Sequence, residues 1–175
     1  RSEHATREAG AWWRSEPPSG GEAMRQGVRL GVDVGSVRVG VARCDPGGIL
    51  ASPLETVKSG KGDVDRLVDL VAEHEAIEVV VGLPTSLSGR EGPAAQSARR
   101  FAVRLAGRLP AETVRLHDER LTTVTAESGL RAGGVHGQAR RKVVDQAAAA
   151  VLLQAALDAE RLTGRPPGEI VQGSS

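Results

Sequence analysis

Hydrophobic and polar positions alternate in register with strands and helices along most of the chain, and the first strong signal lies at residues 29–42, RLGVDVGSVRVGVA. Two valine-rich runs, 30–34 and 37–42, flank Gly35-Ser36. Valine is stiff at χ1 and favours extended backbone, so the stretch predicts a β-hairpin turning at Gly35-Ser36. Asp45-Pro46-Gly47-Gly48 marks the next turn, and residues 49–57 predict a third strand, completing an antiparallel meander. Val64, Leu67, Val68 and Val71 recur at helical spacing, with Asp63, Asp65, Arg66 and Asp69 outside. Residues 77–82 (IEVVVG) are continuously apolar after the first positions, as expected of a strand covered on both faces. A long loop, 83–93, precedes a helix over 94–109, and a fifth strand is predicted at 114–117. Thr122 or Thr123 can cap a helix to about Ala132, and a last helix runs from about Ala139 to Leu162. The order βββ, α, β, α, β, α, α implies a mixed sheet with helices on its faces.

Outside that pattern, residues 1–27 carry unperiodic charges and the run Pro17-Pro18-Ser19-Gly20-Gly21, which reads as a disordered arm. Trp12-Trp13 is unusual in such an arm, and Met24 is a candidate start. Residues 164–175, with Pro166-Pro167, read as a disordered tail, which leaves 28–163 as the folded domain. No apolar run approaches the roughly 20 residues that span a bilayer, and no signal peptide is recognisable. The expected location is therefore the cytoplasm.

Composition narrows the possible partners. A net charge of +1 gives no global attraction for nucleic acid or anionic membrane, so any such attraction is local. With two Trp, one Phe and no Tyr, the chain lacks the aromatic platforms on which single-strand binders stack bases. A nucleic-acid partner would be read by backbone and shape. Cys44 is the single cysteine. It excludes an internal disulfide and a CxxC metal site, and it reads as a buried small residue or, as the less expected alternative, a link between two chains.

Three acids interrupt apolar context. Asp33 sits inside the first strand, where a buried carboxylate is costly unless paired or coordinating a metal. It is either a turn-capping Asp bonded to the backbone of Gly35 or Ser36 or a carboxylate placed for a divalent cation. Glu119 follows the fifth strand, where Asp118 and Glu119 also suit a solvated turn. Asp145 lies near the start of the last helix, where the dipole favours an acid. It shares a stripe with Ala148, Ala149 and Leu152, so it faces the protein. Carboxylates at separated strand and helix ends suit Mg²⁺, which takes oxygen ligands and keeps several waters. Two such ions about 4 Å apart hold both the attacking water and the leaving oxygen of a phosphodiester.

Four stretches together, LGVDVGSVRVGVA, VVVGLPTSLSGREGPAAQSARRFA, DERLTT and RRKVVDQAAAAVLLQAALD, resemble the YqgF family, also called RuvX, of the RNase H-like superfamily. The resemblance covers about residues 28–160. It implies an α/β three-layer fold with a five-stranded mixed sheet, helices on both faces and catalytic acids clustered at one edge. It carries over Asp33, Glu119 and Asp145 as catalytic, metal-ligating residues, with Mg²⁺ or Mn²⁺ as cofactor. The implied activity is a metal-dependent nuclease maturing the 5′ end of pre-16S rRNA. The rival substrate is a four-way DNA (Holliday) junction, which needs two symmetric cuts and hence a homodimer.

Beside these acids, Arg131, Arg140, Arg141 and Lys142 lie among Gly133, Gly134 and Gly137 with no acid from 128 to 144. This positive, glycine-rich stretch is placed to grip phosphate, against the plainer reading of a solvated loop. Arg90, in the loop after the fourth strand, belongs to a substrate-side element by the same resemblance. Arg100, Arg104 and Arg108 form a basic stripe better explained by surface solvation. Two other classes compete with the nuclease. Asp33-Val34-Gly35-Ser36 also resembles a phosphate loop of ATP-binding phosphotransferases, but the second such loop is missing. A non-catalytic nucleic-acid-binding factor remains, since fold alone does not guarantee activity.

Overall fold

The structure is a computed structural model that describes residues 24–86, 88–119 and 137–174, with side chains of the last stretch from residue 142. Strands β1 (Arg29–Val34), β2 (Arg38–Cys44) and β3 (Ala51–Lys58) form the expected antiparallel meander. Helix α1 (Asp63–His74) then leads to β4 (Glu78–Leu83), and α2 (Pro93–Ala106) to β5 (Val114–Asp118). The long helix α3 (Gly137–Thr163) and a short β6 (Glu169–Ile170) complete the described elements. The sheet order is β3-β2-β1-β4-β5-β6. Strands β1, β4 and β5 run parallel, which sends their C-terminal ends to one edge of the sheet.

Alternation along β1 sets the layers. Leu30 and Val32 join the core beneath α1 and α2, with Leu67, Leu70, Phe101 and Leu105. Gly31, one residue out of phase, lies directly under α3, within close range of Leu153 and the Ala149 carbonyl. Ala42, Val80, Ala149, Leu153, Ala156 and Leu157 form the second, thinner core between sheet and α3. All of β4 is buried, as its continuous apolar run requires of a central strand.

Four local expectations change. The hairpin turn is longer than two residues: Val34 pairs with Val39, the Gly35 amide donates to the Arg38 carbonyl, and Val37 is exposed. The sheet gains a sixth strand from the segment expected to be a disordered tail. There Glu169–Ile170 pairs antiparallel with β5 and Val171 is buried. The folded region also begins earlier than residue 28, because Arg25 is bonded to Glu160 and Glu78 and the Gly27 amide to the Pro46 carbonyl. Asp63, expected outside, is buried, where its carboxylate accepts the amides of Gly60 and Val64 and pins the turn into α1. Trp12, Trp13 and the helix expected from 122 or 123 to about 132 lie outside the described residues.

Candidate carboxylate site

The parallel strands deliver two of the three acids to the same edge. Asp33 is the penultimate residue of β1, and Glu119 follows the last residue of β5. The Glu119 amide donates to the Leu83 carbonyl at 3.3 Å, which fixes it beside the end of β4. Asp145 comes from the other layer, near the N-terminal end of α3, and its stripe of Ala148, Ala149 and Leu152 is buried against the sheet as the spacing predicts.

Two glycines let these layers meet. Gly40 is the cross-strand partner of Asp33, and a Cβ there would run into the Asp145 carbonyl group and stand 3.0 Å from its Cβ. A Cβ at Gly82 would strike the Glu119 carboxylate and Leu152, 2.9 Å from Leu152 Cδ2. The main chain of α3 thus rests on β2 at Gly40, and the Glu119 side chain lies across β4 at Gly82. Gly40→Ala should push the start of α3 off the sheet. We expect a stability loss of about 1–3 kcal/mol by overpacking and, since a 1 Å misplacement costs on the order of 100-fold in rate, a comparable loss of cleavage. A melt and a single-turnover rate check both, and an unchanged rate would contradict this placement of Asp145.

The electrostatics are those of acids held close together. Burial, then the charge of Asp145, pushes Asp33 up to about 6. Burial, then the charges of Asp33 and Asp118, pushes Glu119 up to about 7. Asp145 is also raised by burial, against the opposing hydrogen bond and charge of Arg38. The turn-capping reading of Asp33 is not met: the Gly35 amide is taken by the Arg38 carbonyl, and among the described residues the Ser36 amide makes no hydrogen bond to Asp33. The solvated-turn reading fails for Glu119, which is buried, and holds for Asp118, which is exposed and accepts a 2.9 Å hydrogen bond from Thr85 Oγ1.

The donor set is all oxygen and carries excess negative charge, which fits a hard divalent cation. Among the described residues no three His, Cys, Asp or Glu side chains stand together at metal-holding spacing.

The basic residues divide. Lys142 is exposed on the first turns of α3, where its carbonyl accepts Thr56 Oγ1 from β3. Arg90 is exposed at the base of a loop closed by the Thr85–Glu91 bridge and the Ser86 amide on the Arg90 carbonyl. Arg131 and the side chains of Arg140 and Arg141 lie outside the described residues. Of the predicted basic stripe, Arg108, just past the end of α2, pairs with Asp65 at 2.6 Å, and Arg104 on α2 lies 3.5 Å from Asp63. Among the described residues Arg100 bonds only Ser97, at 3.3 Å, and it edges an open cleft of about 650 Å³ beside the Gly35-Ser36 turn.

One residue beside the acids escaped the sequence reading. Arg38, on the hairpin with Asp33, reaches Asp145 Oδ2 through Nε at 3.1 Å. The partners are 107 positions apart, so no local pattern pairs them. The only signal was a cation opening a valine-rich strand.

A six-stranded mixed sheet, with helices packed on both faces and acids gathered at its edge, is the three-layer RNase H-like architecture. The chain belongs to the RuvX family, whose model, described as Holliday junction resolvase, matches residues 27–159. It is 61% identical over 158 residues to a "Putative pre-16S rRNA nuclease" of Thermobifida fusca, covering 86% of this chain and 99% of that protein. It is 59% identical over 154 residues to the protein of the same name from Nocardioides sp., covering 85% and 99%. The namesake in Streptomyces coelicolor is 59% identical over 156 residues, covering 87% and 92%. These names, of relatives and family, are those of enzymes that cut nucleic-acid phosphodiesters. Among the described residues no helix is long and apolar enough to cross a membrane.

Proposed function

We propose that this protein is a divalent-metal-dependent nuclease that trims the 5′ end of pre-16S rRNA, with Asp33, Glu119 and Asp145 as its catalytic carboxylates. The observation that carries the reading is the convergence of three acids, two of them pushed up to about 6 and 7 by burial and by one another. Such mutual repulsion is unfavourable for folding and is relieved by a cation. Perturbed acids gathered at one place are a mark of functional sites. The names of the relatives above supply the substrate.

Asp33 lies between the other two in charge contact and is the shared ligand in this reading. Glu119 and Asp145 flank it, and each with Asp33 would complete one site for Mg²⁺ or Mn²⁺. When bound, such an ion supplies Lewis-acid stabilisation of charge on the phosphate oxygens and acidifies a water for attack. Lys142 and Arg90, both exposed, with Arg131, Arg140 and Arg141, are the proposed contacts to the nucleic-acid backbone. Such contacts suit a substrate read by shape, since aromatics are few. The working location is the cytoplasm, with pre-rRNA.

The second reading, favoured by the family description, is a junction resolvase acting as a homodimer. Cys44 offers no help to that dimer, because its thiol is 1% exposed and accepts the Arg29 amide.

A side-by-side assay separates the readings. Wild type and Asp33→Asn each meet a pre-16S 5′ leader RNA and a synthetic four-way DNA junction, with Mg²⁺ or Mn²⁺. Asp33-dependent cutting of the RNA alone is expected. Symmetric cutting of the junction alone would replace the RNA with DNA and require a dimer. Binding of the RNA without cutting by wild type would leave a non-catalytic factor.

A further inference from the structure

Arg38 is held in a way that its partner Asp145 does not by itself explain. Its Nε is the nitrogen bonded to Asp145 Oδ2, at 3.1 Å. Its two terminal nitrogens make no hydrogen bond among the described residues. The guanidinium is neither a free surface group nor a closed ion pair: the Arg38 side chain is 19% exposed and that of Asp145 26%. A guanidinium has five donors in a planar fork. Here the inner donor is anchored and the outer pair has no hydrogen-bond partner among the described residues, beside the acids. That outer pair has the spacing with which arginine takes two oxygens of a phosphate. Two constraints fix the arm in place. Arg38 opens β2 one residue before Val39, the partner of the last residue of β1; it pairs with Lys58 of β3, and its carbonyl closes the hairpin turn. Asp145 is itself fixed where α3 rests on Gly40. Arg104 and Arg108, by contrast, face the α1 acids Asp63 and Asp65.

We propose that Arg38 is a substrate-contacting residue: with Nε anchored on Asp145, its two terminal nitrogens take the non-bridging oxygens of a nucleic-acid phosphate at the carboxylate site. The inference rests on the nuclease reading above and deepens it, assigning Asp145 a second task as the anchor of the phosphate-binding arm. Of the Asp145 carboxylate, Oδ2 is the oxygen that takes Arg38.

The test is binding of the uncut leader RNA in EDTA, so that neither metal nor turnover enters. Arg38→Ala and Arg38→Lys are measured by fluorescence anisotropy across a salt series, with a thermal melt to show that each variant is folded. Loss of a charge-assisted phosphate contact should weaken binding roughly 10-fold or more and reduce the salt slope by about 0.7 for a single strand. Arg38→Lys should recover the slope but only part of the affinity, since an ammonium keeps the charge and loses the fork. Removing Arg38 also uncovers the Asp145 charge, which would itself repel RNA. The same comparison is therefore repeated with Asp145→Asn in both members. A loss that persists there supports direct contact. A loss that vanishes there, or an affinity and slope that never change, would overturn the proposal and leave Arg38 as a positioning residue for Asp145. Failure of wild type to bind the RNA at all would instead sink the nuclease reading on which it rests.

Discussion

Asp33→Asn should abolish cleavage while leaving RNA binding intact, and it should make the protein more stable. Loss of an outer partner of a metal ligand costs roughly 10–100-fold in activity or affinity, so loss of the proposed shared ligand should exceed 100-fold. The stability gain follows from the same geometry. Burial and the neighbouring Asp145 charge raise the Asp33 carboxyl from 3.8 to about 6. Between those two values the folded protein holds the proton more firmly than the unfolded chain does. Stability therefore falls as pH rises through this window, and the full penalty persists above it. At 1.36 kcal/mol per pKa unit the penalty is on the order of 3 kcal/mol, reduced to about 2 kcal/mol by partial solvent access. Asparagine carries no charge and escapes it. In EDTA at pH 8 the variant should melt roughly 4–8 °C higher, and near pH 4 the two proteins should converge. Glu119, raised to about 7 by burial and by Asp33 and Asp118, extends the same downward trend of wild-type stability toward pH 7. Adding Mg²⁺ should stabilise wild type more than Asp33→Asn, because only a ligand of the folded state shifts the melt. An Asp33→Asn melt that is lower than wild type at pH 8 would mean that the acids are not strained. Undiminished cleavage would mean that Asp33 is not catalytic.

The parts of this site that were legible in sequence are those in which a local pattern is broken. Asp33 shows because five of its neighbours from 30 to 39 are Leu or Val, and a carboxylate there needs a reason. Asp145 shows because helical spacing puts it on the stripe of Ala148, Ala149 and Leu152, all of which are buried. Strands β1 to β5 show for the same reason, through periodicity and turn residues. Arg38 does not, because its partner is fixed by how α3 crosses β2 rather than by spacing. Asp63 misled for the opposite reason. It opens the helix like a solvated acid, but the positive-φ turn at Gly60 and Gly62 folds back and presents amides to its carboxylate. Strand β6 is two residues long, shorter than any period can reveal, and it follows a Pro-Pro-Gly run that signals only a turn. The arm boundary was misplaced because Arg25 belongs to the fold through ion pairs rather than apolar contacts, and hydrophobic patterning is blind to those.

Those ion pairs carry the largest expected effect on stability. At the sheet end remote from the acids, Arg29, Glu78 and Glu160 are each nearly inaccessible. Glu160, near the C-terminal end of α3, accepts Arg25 Nε at 2.6 Å and Arg29 at 3.3 Å. Burial pushes Glu160 up, but the bonds and charges of Arg25 and Arg29 outweigh it and hold the carboxyl below its usual range. Glu78 takes Arg25 at 2.9 Å and Arg115 at 3.1 Å, so the network joins β1, β4, β5, α3 and the entering chain. Arg29 has little slack, since its Nε is already without a partner and Nη1 is spent on the Gly27 carbonyl. Glu160→Ala would leave that arginine buried without its counter-charge, which costs about 3–5 kcal/mol where one partner of a buried pair is removed. We expect chemical denaturation of Glu160→Ala to show a loss in that range. Arg29→Met together with Glu160→Leu should recover much of it, because a buried pair exchanged for apolar residues is often neutral. The rate of the folded Glu160→Ala protein at low temperature should stay near wild type, since α3 remains seated on Gly40 and Gly31 nearer the acids. A loss below about 1 kcal/mol would show that solvent reaches Arg29. A rate that falls in proportion to stability in the double variant as well would show that the anchoring of α3 at this end also sets the position of Asp145.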